Sequence, residues 1–242
     1  MTLVLLFFFA MGAAFVQRTT GFGFGIFIMT MLPYLMPSYG EATALSGLLA
    51  MVTSLFLVFR YYKSLNWARL LPILITFLMV SFVAVRFVAA LDKTVLQIIL
   101  GIALIVASVY FWFFSDKVRI KPILSVQVSL GTLSGFMGGF FGMQGPPAVL
   151  YFIEVSKTKE QYVALAQTYF LLGNFMMTLY RAHSGFVTPA VWHSWCWALP
   201  AVILGTYIGG LAFRFISLQL LRRIVFIYIG VSGIIALLGA LL

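Results

Sequence analysis

The sequence predicts an all-α polytopic membrane protein of two inverted repeats, each a broken-helix hairpin plus three transmembrane helices, about eight spans in all. Three observations carry this. Of 242 residues, 63% are hydrophobic and only 8% charged, where a soluble domain carries roughly a quarter charged. The apolar runs are long and lack dyad alternation, so the spans are helices rather than barrel strands. The second half of the chain also repeats the pattern of the first. So few charges exclude a soluble enzyme, and the high hydrophobicity excludes a disordered chain.

The first repeat occupies residues 1–114. Its first apolar run is Thr2 to Val16, which lacks the basic stretch that precedes a signal-peptide core and is therefore expected to be a retained helix. After Gln17 to Gly21 comes Phe22 to Met36, stopped by Pro37. The runs Ala42 to Phe59, Leu70 to Leu91 and Thr94 to Phe114 follow. Residues 115–122 form a basic linker. The second repeat, 123–242, starts with Ile123 to Phe141, a break at Gly142 to Pro147 and a short run ending near Val155. Tyr162 to Tyr180, Trp195 to Phe215 and Leu221 to Leu242 complete it. About 20 apolar residues cross the hydrocarbon core. The last three runs of each half meet that length. The first two are shorter and parted by Gly and Pro, as in a hairpin or broken pair meeting inside the membrane.

The halves match residue by residue. Trp67, Leu71, Pro72, Arg86 and Phe87 recur as Trp195, Leu199, Pro200, Arg214 and Phe215, all at an offset of 128. Gly12, Gly23, Glu41 and Phe56 recur at an offset of 119 as Gly131, Gly142, Glu160 and Phe175.

The net charge of +10 reflects loop cations, not nucleic-acid binding. With the loop of Arg60, Lys63 and Arg69 in the cytoplasm, eleven basic residues fall inside. Arg86, Lys93 and Arg181 fall outside. That places both termini on the non-cytoplasmic side of the cell inner membrane and inverts the repeats, an organisation whose substrate sites lie near the midplane. The single cysteine, Cys196, excludes an intramolecular disulfide and a cysteine-based metal cluster.

The chemistry concentrates at the two breaks. At the first, Arg18 offers charge and bidentate donors, and Thr19 and Thr20 offer hydroxyls. Gly21 and Gly23 let backbone approach a ligand, a combination suited to an oxyanion. At the second, Gly142, Met143, Gln144 and Gly145 precede Pro146 and Pro147, which fit a helix first turn. Close helix packing is the competing role for these glycines. Gln17, Gln167 and Asn174 are candidate pathway-lining residues, the last two seven apart on one helical face. His183 and His193 are expected to be interfacial. No metal, cofactor or catalytic residue is expected. The acids Glu41, Asp92, Asp116, Glu154 and Glu160 all lie near span ends, and no P-loop is present.

At Gly21-Phe22-Gly23-Phe24-Gly25, at Gly135-Phe136-Met137-Gly138-Gly139 and at Gly142 to Pro147 the sequence resembles the sulfite exporter TauE/SafE family. The duplicated layout and midpoint basic loop extend the resemblance over nearly the whole chain. It implies a multi-pass inner-membrane transporter of sulfite, sulfonates or related small organic anions, and it carries over no binding residue.

The function expected is secondary transport or facilitation of such an anion, with export favoured, through a midplane site between the two hairpins. The partners expected are the anionic substrate and the lipid bilayer, without nucleic acid, and with a homodimer left open. The rival readings are a membrane enzyme acting on a lipid phosphate and an anion channel. The enzyme would need an acid/base pair or metal-binding carboxylates near Arg18, and the sequence offers none.

Overall fold

The computed structural model describes residues 2–88, 91–114 and 122–212, with residues 223, 227, 230, 231, 233–235 and 237–240 beyond them. The described residues contain helices and no strand. Residues 115–121 of the expected linker, and half of the last expected run, lie outside them.

Helix α1 spans Thr2–Thr20 and ends where Gly21 takes a φ of 83°, a left-handed conformation open to glycine. The second run does not form one half-helix. It divides into α2, Phe24–Ile28, and α3, Leu32–Leu35. Thr30 bonds back to the Phe27 carbonyl at 2.7 Å, and Pro33 sits in the first turn of α3 without an N–H to give. Helix α4, Tyr39–Tyr61, starts from a serine N-cap: the Glu41 N–H donates to Ser38 Oγ at 3.2 Å. A single 3-10 turn, Tyr62–Ser64, leads to α5, Trp67–Val88, and α6, Lys93–Phe114.

In the second half α7 spans Leu124–Phe141, α8 Gly145–Val155, α9 Lys159–His183 and α10 Pro189–Ala212. Helix α10 begins before the expected Trp195, with Thr188 bonded to the Val191 N–H at 3.4 Å and Pro189 at its first position. Helix α9 opens as α4 does, the Gln161 N–H donating to Thr158 Oγ1 at 3.1 Å. Among the described residues, six helices are long and apolar enough to cross a membrane: α1, α4, α5, α6, α7 and α10. Helix α9 has 25 residues, a length of about 38 Å, but it carries a buried polar stripe. Helix α8, with 11 residues, reaches only about 16 Å and cannot cross the hydrocarbon core alone.

Three long pairings build the bundle: α1 with α10, α5 with α7, and α4 with α9. Glycines set the first two. Gly131, Gly135 and Gly139 form one row of α7. A methyl on each would meet the carbonyl oxygens of Ile73, Phe77 and Ser81 of α5 at 2.9, 3.0 and 3.2 Å. On α10, Gly205 presses against the Met11 carbonyl and a methyl on Gly209 would lie 3.0 Å from that of Phe15. Where lipid removes the hydrophobic incentive for helices to associate, such close backbone approach supplies the contact. The central pair runs antiparallel: Ser54 bonds Gln167, Gly47 faces Asn174 and Thr178, and Glu41 accepts from Thr188 just past α9.

Candidate functional site

The two glycine breaks meet inside the bundle. Gly23 (φ 96°) turns the chain into α2, and Gly142 (φ 68°) ends α7. The Gly142 N–H donates to Gly138 O at 2.9 Å and the Met143 N–H to Met137 O at 3.2 Å, a glycine helix stop. Gly25 lies so close to the Gly142 carbonyl that any side chain there would strike backbone. Next to this contact is a small, half-open cavity of about 30 Å³, room for about two waters as the structure stands. Gln17, Gly23 to Ile26, Ala50, Gly142 to Gly145, Phe170 and Asn174 line it.

Gly23, Gly142, Met143, Gln144 and Gly145 of the sequence-derived substrate set therefore line one cavity, together with Gln17 and Asn174 of the pathway set. The Gln144 Nε2 donates to the Phe170 carbonyl at 3.4 Å and its Oε1 has no partner. The Gln17 Nε2 donates to Ser54 Oγ at 2.9 Å and to Gln167 Oε1 at 3.1 Å, leaving Gln17 Oε1 unpartnered. Gln167 sits behind this wall. It donates to the Gly21 carbonyl at 2.8 Å and so ties α9 to the first break.

The remaining members of the set lie elsewhere. Arg18 follows Gln17 by one residue, a turn of about 100° around α1. Its side chain runs along α10, where a methyl on Gly209 would meet its Cβ at 3.0 Å and one on Gly210 its Nε at 3.5 Å. The Thr19 hydroxyl turns back on the Phe15 and Val16 carbonyls, at 2.8 and 3.0 Å. That of Thr20 lies 2.9 Å from Val16 O and 2.7 Å from Phe22 O. Gly21 packs under the Tyr162 ring.

The helix starts at the cavity are weaker donors than their positions suggest. Of the four N–H groups that a helix start leaves free, Pro146 and Pro147 remove two in α8, and those of Gln144 and Gly145 remain. Helix α2 has only five residues, too few aligned peptides for a substantial dipole.

The family model described as Sulfite exporter TauE/SafE matches residues 6–236. The chain belongs to the TauE/SafE family. Its relatives include the "Probable sulfite/organosulfonate exporter TauE" of Cupriavidus necator (strain H16), 22% identical over 204 residues, or 80% of this chain and 77% of that protein. No solved structure matches the chain. Within this TauE/SafE chain the resembling motifs divide in two. Gly23, Gly25 and Gly142 to Gly145 shape the cavity, whereas Gly135 and Gly139 pack α7 on α5.

One residue that the sequence placed among the outside cations is buried within the bundle. Arg181 is 1% exposed. Its Nη2 donates to the Gly138 and Gly139 carbonyls at 3.0 and 3.3 Å, at the C-terminal end of α7, and its Nη1 has no hydrogen-bond partner. The signal was present in the sequence: Gln167, Asn174 and Arg181 are spaced seven apart and share one face of α9.

Proposed function

We propose that this chain exports a small sulfur oxyanion or organosulfonate through a site at the junction of the two glycine breaks, by alternating access of two inverted repeats. The observation that carries the reading is the contact of Gly25 with the Gly142 carbonyl beside a cavity edged by three amides, Gln17, Gln144 and Asn174. The name borne by the Cupriavidus relative supplies the substrate class. Each amide presents its nitrogen or its oxygen after a half-turn of its terminal torsion, so the ring can donate to an oxyanion. The N–H groups of Gln144 and Gly145 add backbone donors.

Arg18, Thr19 and Thr20 have a different part in this reading. Arg18 lies within electrostatic reach of Arg60 and Tyr61 at the C-terminal end of α4. It serves the approach of the anion rather than its seat. Thr19 and Thr20 hold the end of α1, and Gly21 receives Gln167 and Tyr162. The antiparallel course of α4 and α9, which occupy equivalent places in the two halves, supports inversion of the repeats. With Arg181 buried, the basic residues divide eleven against two, which supports both termini on the non-cytoplasmic side.

The test is a binding screen of purified protein against sulfite, thiosulfate, sulfate, short sulfonates and carboxylates. Saturable binding of sulfite or a sulfonate in preference to carboxylates is the expected result. Binding of carboxylates alone would overturn the substrate class.

A further inference from the structure

Beyond the cavity, the seam between α4 and α9 contains polar atoms that the fold leaves unsatisfied. The Ser46 Oγ, Thr178 Oγ1, Tyr39 hydroxyl and Arg181 Nη1 are all buried without a hydrogen-bond partner. Thr178 and Arg181 lie three apart on α9, Tyr39 of α4 is within electrostatic reach of Arg181, and Ser46 lies seven residues beyond Tyr39 on the same face of α4. Thr178 and Arg181 converge on Gly47 of α4. A methyl placed on it would lie 3.3 Å from Thr178 Oγ1, 3.7 Å from Asn174 Oδ1 and 3.9 Å from Arg181 Nη1. Asn174 also lines the cavity, so the cavity wall and the guanidinium reach the same spot. Ser46 Oγ stands 3.8 Å from the matching point on Gly142, at the second break.

A buried cation without a counter-charge is strongly unfavourable, and an ionisable group inside a membrane protein is held there by a partner. Among the described residues no carboxylate pairs with Arg181, and the two α7 carbonyls engage only Nη2. A helix-capping role accounts for that nitrogen and leaves Nη1 unexplained.

We infer that Arg181, with Ser46, Thr178 and Tyr39, forms a second anion subsite on the α4–α9 seam, reached from the cavity past Gly47. Given the export reading above, on which its substrate class rests, it takes the oxyanion head of the sulfur oxyanion or sulfonate. Arg181 Nη1 supplies the charge-assisted hydrogen bond and the hydroxyls donate to the remaining oxygens. The subsite lies on the Tyr39 side of the cavity, away from the Gln17–Ser54–Gln167 network, so an anion leaving the cavity in that direction meets it next.

The experiment measures equilibrium binding of sulfite, methanesulfonate, sulfate and acetate to the purified full chain. It compares wild type with Arg181→Gln, Arg181→Lys, Gly47→Ala and Ser46→Ala. Arg181→Gln should weaken binding by about tenfold to a hundredfold, the range for one hydrogen bond to a charged group. Arg181→Lys should restore part of it. Gly47→Ala fills the convergence point while leaving both guanidinium–carbonyl bonds in place, and it should weaken binding at least about fivefold; Ser46→Ala should do so about threefold. If Arg181→Gln does not fold, the Gly47 and Ser46 variants decide. Wild-type affinity in folded Arg181→Gln, or in both of those variants, overturns the subsite and leaves the export reading standing. The same losses measured with sulfate or acetate as the only binding anion support the subsite and overturn the substrate class. No anion binding to wild type overturns both.

Discussion

Gln17 and Arg18 are neighbours in the chain and face different parts of the molecule. Ala10, Ala13, Ala14 and Gln17 form the buried stripe of α1, and the next residue is rotated out of it toward α10. Proximity to the break in sequence drew Arg18 into the site, whereas the stripe spacing already pointed it away. The seven-residue step from Gln167 to Asn174 was likewise legible. Carried one step further it reaches Arg181, which the charge count had only placed on the outside. Gln144→Ala and Asn174→Ala should each weaken substrate binding about threefold to tenfold, the range for a neutral hydrogen bond. Arg18→Ala should leave equilibrium affinity within about twofold and slow uptake into proteoliposomes instead. Titration calorimetry and initial-rate flux separate the two effects.

At the scale of elements, the long helices were legible from run length. The exceptions have local causes. The run from Phe22 to Met36 was too uniformly apolar to reveal the turn at Met29 to Met31, where the Thr30 hydroxyl competes for a backbone carbonyl. The start of α10 was hidden because His193 and Ser194 interrupt the apolar pattern just before Trp195, although Thr188 and Pro189 carry the start signal. The glycine-rich motif at Gly135 to Gly139 carried two roles that composition cannot separate. Its Gly135 and Gly139 face α5, and Gly138 lends its carbonyl to Arg181. Gly135→Ala should destabilise the protein by about 1–3 kcal/mol by overpacking against Val80 and the Phe77 carbonyl. Gly25→Ala should do at least as much, because its obstacle is the backbone of Gly142. Gly145→Ala meets only ordinary contacts at 3.7 and 3.8 Å and should stay within about 1 kcal/mol. Thermal unfolding in detergent orders the three.

Across the whole molecule, the first long helix of each half packs on the other half: α1 on α10 and α7 on α5. The residues at an offset of 128, Pro72 and Pro200, lie inside the two receiving helices, α5 and α10. This exchange, with α4 antiparallel to α9, is the pairing expected if the halves are related by a rotation about an axis in the membrane plane. What the sequence could not supply was the level at which the breaks meet, since that depends on contacts more than a hundred residues apart. On the export reading proposed above, the membrane potential drives an anion outward. It contributes about 2.3 kcal/mol per charge per 100 mV. The most direct measurement of the central claim is sulfite or methanesulfonate efflux from proteoliposomes under a potassium–valinomycin potential, with wild type beside a Gln144→Ala, Asn174→Ala double variant. Saturable efflux is expected in wild type, quickening as the interior becomes more negative and falling by about tenfold or more at subsaturating substrate in the double variant. Efflux equal to that of protein-free liposomes, or unchanged in the double variant, would contradict that claim.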